Sequence, residues 1–424
     1  MLHQIKNLKD VVDWGLCTGC GACSYHCRKG NIKLVNVPEV GIRPQFDSNA
    51  CAKCTDCLPI CPGYRLDGEL ETGHVAKTAE SEHEFGTALE IWEGHALSPE
   101  IRFKGSSGGI LSALALYCLE QEKMKFVLHS GADDSKPWTN TTLMSTNRSE
   151  ILACTGSRYA PASPCDGLRN IEESDGPCVF IGKPCDVAAV AMLRREHPKL
   201  DQNLGLVLTF FCAGTPSTKG TLDLLTNIDV DPAKIKSLRY RGEGWPGTFH
   251  AVLDDGSATE SISYTDSWNH LTGYRPLRCN LCPDGLGRIA DISCGDAWHA
   301  LAGSSEAGRS LVLVRTERGR AILHGAIAAG YVELVRVGPG AVLTAQTSLL
   351  QRRRELFGRL LAMKLLMIPA PKFVKFSLLR SWLTLSLRRK VQTIMGTIRR
   401  AASRGWWRRR PVVQTEPARE LTNA

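Results

Sequence analysis

Between residues 90 and 338, short apolar runs of strand length alternate with stretches of helix length. The runs at 125–128, 178–182, 204–212 and 310–315 are strand-like; the stretches at 109–121, 186–196, 216–226 and 319–329 are helical. This interleaving predicts an α/β (α+β) core. Two junctions carry helix-start signals: Thr215-Pro216 follows one strand, and Pro184-Cys185-Asp186 follows another. A polar connector is expected from 67 to 84. From 347 to 410, basic and aromatic residues interleave on a helical pattern. The predicted organisation is a cysteine-rich module at 1–75, the core at 85–345 and a basic helical tail at 346–424.

Composition narrows the class. The chain has 424 residues, 43% apolar and 22% charged, as in an ordinary globular protein of two or three domains. No run approaches the roughly 18 apolar residues of a membrane-spanning helix. The net charge of +9 is divided: residues 351–410 hold 17 Lys and Arg against Glu355 alone, and the remainder is net −7. That asymmetry speaks of partners, not of fold. Residues 1–7 contain no apolar segment of the export type, and with 17 cysteines this points to a reducing cytoplasm.

Eight of those cysteines form two copies of C-x2-C-x2-C-x3-C: Cys17, Cys20, Cys23 and Cys27, then Cys51, Cys54, Cys57 and Cys61. This run wraps [4Fe–4S] cubes in two-cluster bacterial ferredoxins, the fourth cysteine crossing to the other cube. The expected sets are Cys17, Cys20, Cys23 with Cys61, and Cys51, Cys54, Cys57 with Cys27. Arg28 stands where a proline usually follows the first copy. Zinc would need only pairs of such steps, and disulfides an oxidising compartment.

A second constellation joins Cys279 and Cys282 to Cys294, twelve residues on at the end of an apolar strand. It suggests another metal centre, with Cys185 as fourth ligand and Cys212 as runner-up; a zinc knuckle or plain buried thiols are the alternatives. Cys118, Cys154, Cys165 and Cys178 read as core thiols. Gly105-Ser106-Ser107-Gly108-Gly109 precedes an apolar helix and suits a phosphate or pyrophosphate. Ser157, Arg158 and Tyr159 offer hydroxyl, guanidinium and aromatic contacts. The segment 239–247, rich in glycine and with Arg241 at its start, could line a substrate mouth. The eleven histidines form no H-E-x-x-H, and neither a serine elbow nor a Walker loop is present. Redox transfer remains.

Taken in order, Gly105–Gly109, Thr155–Tyr159, Gly182-Lys183-Pro184-Cys185, Phe211–Ser217, Arg241–Gly247 and Arg278–Asp284 with Asp291–Trp298 resemble the coenzyme F-420 hydrogenase/dehydrogenase beta-subunit family over about 85–345. The resemblance implies a flavoprotein core, with FAD cradled by Gly105, Ser106, Ser107, Gly108, Gly109, Ser157, Arg158 and Tyr159. It implies a core [4Fe–4S] cluster on Cys185, Cys279, Cys282 and Cys294, with Lys183 and Arg241 at the flavin face. The expected activity is a relay from the N-terminal clusters through the core cluster to FAD and an organic acceptor, in either direction. A ferredoxin, a dehydrogenase subunit or a deazaflavin coenzyme is the expected partner. A relay-only subunit and a reductase of polysaccharide-pathway or chlorophyll-type substrates are the alternatives. For the tail, a peripheral membrane contact and an acidic protein partner rank ahead of nucleic acid.

Overall fold

The computed structural model describes residues 4–46, 51, 53–68, 82–301 and 307–412. Most of the connector expected at 67–84 and the end of the tail lie outside them.

An eight-stranded mixed sheet forms the core, from β1 (Glu90–Ala96), β2 (Val127–Ala132), β3 (Asn140–Ser145), β4 (Cys178–Gly182), β5 (Leu204–Phe210), β6 (Ile292–Asp296), β7 (Ser310–Val314) and β8 (Val332–Arg336). The order is β8-β1-β7-β6-β5-β4-β2-β3. The four central strands β6, β5, β4 and β2 run parallel, and every outer pairing is antiparallel. Parallel strands need cover on both faces, which explains the largely apolar sequences of β4 and β5. Val179, Leu206 and Leu208 pack with the helices Ile110–Glu120 and Glu317–Ala328 on one face. Phe180 and Val207 pack with Val187, Val190 and Leu193 of the helix Pro184–Leu193 on the other.

The start signal at Pro184 holds: proline occupies the first turn, and the Asp186 carboxylate accepts from the Lys183 amide at 2.9 Å. At Thr215-Pro216 the helix begins two residues later, at Thr218, with Ser217 at the N-cap position and no side-chain capping bond. A smaller three-stranded sheet (Ile235–Arg239, Thr248–Leu253, Ile262–Ser263) packs with the helices Thr218–Thr226 and Tyr264–Thr272.

The N-terminal region holds short helices at Leu8–Asp13 and Ala22–His26 and a hairpin of Ile32–Val37 with Gly41–Phe46. The tail closes over it. Leu356, Met363, Ile368 and Ala401 share one apolar cluster with Val11, Leu16, Cys17 and Cys61. Lys372–Val374 adds a parallel strand to Arg65–Asp67.

Candidate functional site

The carboxyl ends of the parallel strands open onto a cleft of about 1820 Å³ of atom-free space. Ligands of open α/β sheets bind at this edge. Gly105, Ser106, Ser107 and Gly109 line it beside the start of the Ile110–Glu120 helix. Gly109 has φ of 75°, and a Cβ there would meet the Ile101 carbonyl oxygen at 2.9 Å, so only glycine closes this turn. The Ser106 hydroxyl accepts from the Ser157 amide at 2.5 Å, joining the two predicted loops. Gly108 points elsewhere: its amide donates to Ser310 Oγ at 2.9 Å, against the sheet.

Arg158 lines the cleft, but its guanidinium donates to the carbonyls of Pro137, Thr139 and Leu238 and to Asn140. It clamps the loops together. Arg241 is likewise committed. It is 2% exposed, forms a two-pronged pair with Asp296 at 2.8 and 3.0 Å, and lies 4.4 Å over Tyr264 and 5.1 Å over Trp298. Burial works against its charge, and Asp296 more than restores it. Trp298 stacks between Tyr264 and Trp245, and Tyr159 sits 4.7 Å from Trp268. Of these rings Tyr159 was singled out from the sequence; the wall as a whole was not, because its rings come from separate segments.

A second, much smaller cavity is lined by Cys185, Cys212, Cys279 and Cys282 together with Arg43, Arg278, Arg352 and Lys183. Burial pushes the Cys212 thiol up to about 12, with Cys279 and Cys282 adding to the shift. Cys185 is also raised, first by burial, with Cys212 and Cys282 among its neighbours. Cys294 stands apart: it lies within β6 opposite Phe210, and its side chain joins the apolar cluster under the Ile110–Glu120 helix. Its thiol is raised by burial alone. The thiol set at this cavity therefore contains Cys212 in place of the expected Cys294.

Cys17 lines the same cavity, and Arg278 ties the two regions together by donating to the carbonyl of Pro62, next to Cys61, at 2.9 Å. The N-terminal thiols lie close enough to raise one another. Cys23 is raised by burial and then by Cys20, Cys17, Cys57 and Cys61, and Cys61 by burial and then Cys20 and Cys17. Burial lifts Cys57 to about 12, with Cys27, Cys54 and Cys51 contributing. Among the described residues, no three His, Cys, Asp or Glu side chains close to the spacing of a single metal ion.

The two cavities share a wall. Ala162, Lys183, Cys212, Gly214 and Thr215 face both. Lys183 Nζ sits in that wall, 2.7 Å from Asp186 and 2.8 Å from the Ala162 carbonyl. Burial would strip its proton, but the Asp186 carboxylate outweighs burial and keeps it charged.

Two family models match the chain: the N-terminal region of the coenzyme F420 hydrogenase/dehydrogenase beta subunit over 91–168, and its C-terminal region over 177–339. The chain is 28% identical over 257 residues to the F420-dependent formate dehydrogenase 1 subunit beta of Methanococcus maripaludis, covering 59% of this chain and 62% of that one. It is 25% identical over 281 residues to the coenzyme F420 hydrogenase subunit beta of Methanococcus voltae, covering 64% and 93%. The coenzyme F420-dependent sulfite reductase of Methanocaldococcus jannaschii is 22% identical over 331 residues, covering 74% of this chain and 46% of its own. The chain thus spans under two thirds of the formate dehydrogenase subunit and nearly all of the hydrogenase subunit. Among solved structures, a chain of the F420-reducing [NiFe] hydrogenase complex from Methanosarcina barkeri shares the fold, with a TM-score of 0.51 at 22% identity over 66% of this chain and 91% of that one.

Proposed function

The chain belongs to the coenzyme F420 hydrogenase/dehydrogenase beta-subunit family, and from that premise we propose that it is an iron–sulfur flavoprotein oxidoreductase exchanging electrons between a partner protein and an organic hydride acceptor such as a deazaflavin. The shared wall carries the proposal. A thiol-lined cavity and the cleft beside the glycine turn meet at Lys183 and Cys212, the adjacency that cluster-to-flavin transfer needs.

The donor set at the smaller cavity suits a [4Fe–4S] cube, which takes four thiolates on four different irons and so needs sulfurs spread around a void. Cys185, Cys212, Cys279 and Cys282 would hold it. Arg43, Arg278 and Arg352 offset the negative charge of such a site. Cys17, Cys20, Cys23 with Cys61, and Cys27 with Cys51, Cys54 and Cys57, would hold two further cubes.

The cleft suits FAD. The turn at Gly105–Gly109 offers backbone amides other than those of Gly105 and Gly108 to a pyrophosphate, and Tyr159 and Trp268 bring aromatic rings to the same cleft. FAD, when bound, converts electron pairs into the single electrons that iron–sulfur clusters carry. Lys183 fixes a positive charge in the partition, where it favours negative charge developing on a neighbouring group. Arg241 and Asp296 hold the aromatic wall rigid.

Anaerobically purified protein should contain about twelve irons for three cubes. It should also release flavin on heating and reduce a deazaflavin faster than a nicotinamide when supplied with a low-potential donor. An iron content near eight with zinc in the remainder, or no flavin, overturns the reading.

A further inference from the structure

The matched residues end at 339, and the tail beyond them presents a surface that electron transfer does not explain. Eight of the fourteen large apolar side chains exposed among the described residues fall between 365 and 407. Three lie on the helix Leu387–Arg404: Leu387, Val391 and Met395, at 77%, 51% and 57% exposure. Their four-residue spacing puts them in one stripe on a single face. The helix faces the protein with Thr393, Thr397 and Ala401 instead, each under 7% exposed. Small and hydroxylated residues point inward, and the aliphatic stripe points out.

Charge frames that stripe. At about 100° per residue, Arg388 and Arg399 border it on the solvent side. Glu355, the single acid of residues 351–410, is already taken by Arg359 at 2.7 Å and Arg389 at 2.6 Å. Trp407, 45% exposed, follows the end of the helix.

We propose that this helix docks on an anionic lipid surface, lying in the interface with Leu387, Val391 and Met395 among the acyl chains and Arg388 and Arg399 at the headgroups. Aliphatic side chains with no hydrogen-bonding companion on the same stripe suit acyl chains, and tryptophan prefers the interface. The attachment is peripheral: no described helix is long and apolar enough to cross a membrane.

The test is sedimentation of the full cofactor-loaded chain, under anaerobic conditions, with vesicles of phosphatidylcholine alone or mixed with phosphatidylglycerol. The protein should pellet with the anionic vesicles only, and raised salt should weaken binding. Val391→Asp with Met395→Asp should lower partitioning at least tenfold, and Arg388→Glu with Arg399→Glu roughly fivefold or more per site. Because these side chains are exposed, melting temperature and iron content should stay unchanged, separating the result from misfolding. No binding to anionic vesicles, equal binding to neutral ones, or variants that bind like the parent would overturn the proposal. Retention by an acidic protein partner without vesicle binding would also overturn it.

Discussion

Cys212 and Cys294 stand at the ends of neighbouring parallel strands, yet their side chains have different surroundings. Cys294 is still inside the ladder, where the pleat directs its side chain into the apolar layer. Cys212 lies two residues past the end of β5, its amide bonded to the Gly285 carbonyl at 2.8 Å, and so reaches the thiol cavity. Cys212→Ala should therefore lower bound iron from about twelve to about eight per chain. Cys294→Ala should leave iron unchanged and cost about 1 kcal/mol of stability. Iron analysis of both variants decides the ligand set, and the opposite pattern would reinstate Cys294. The C-x2-C step was legible because a short loop dictates local geometry. Cys185, expected beside that step, also lines the cavity, whereas Cys294 does not, since one or two residues of strand length decide which side of the sheet edge a thiol meets. The commitments of Arg158 were hidden for a related reason: no local pattern shows that three distant carbonyls and Asn140 accept from its guanidinium.

His129 gives the same scale a pH signature. It is buried on β2, 2.8 Å from the Ser145 hydroxyl, and burial depresses it to about 4. Above pH ~6.5 it is neutral in folded and unfolded chains and contributes no pH dependence. As pH falls below that value, the unfolded chain takes up a proton that the folded chain refuses. Stability should drop by about 1.4 kcal/mol per pH unit until pH approaches 4, about 3 kcal/mol in all. His129→Gln should flatten this part of the stability–pH curve in denaturant titrations. An unchanged slope would show that the imidazole is not held neutral.

At the scale of elements, the sheet was largely readable and the tail was not. The buried runs of β4, β5 and β7 and the helices between them follow from apolar patterning. The docking of residues 356–401 against the N-terminal helices joins positions more than three hundred apart, and no local periodicity encodes that. The consequence is that the tail is structural cover for the cysteine-rich region. Phe376 is 2% exposed and packs beside the Lys372–Val374 strand, under the Arg288 guanidinium at 5.4 Å. Phe376→Ala should cost about 3–5 kcal/mol, read as a lowered melting temperature. Removing everything after residue 346 keeps the whole family-matched region but exposes Val11, Leu16 and their neighbours. Such a chain should lose N-terminal iron first, and full iron retention would show the cover to be dispensable.

Across the whole molecule, the three thiol groups form an ordered series. Cys54 is exposed, and its group (with Cys27, Cys51 and Cys57) lies at the outer end. The group of Cys17, Cys20, Cys23 and Cys61 is buried and shares Cys17 with the cavity of the core thiols. The core thiols share their wall with the cleft. Electron transfer weakens steeply with distance, so under the proposed function this succession would have a partner protein meet the Cys54 end and the small organic substrate meet the cleft. Cys54→Ser should remove the outer centre alone, leaving about eight irons and the flavin in place. Reduction of a deazaflavin driven by a protein donor should fall at least tenfold. Dithionite, small enough to reach the inner centres, should still drive it at close to the parental rate. Cys17→Ser, which breaks the middle of the series, should lower the protein-driven rate as far as Cys54→Ser does. If Cys54→Ser instead keeps full protein-driven turnover, the outer group is not the point of entry and electrons reach the cleft by a path that bypasses it.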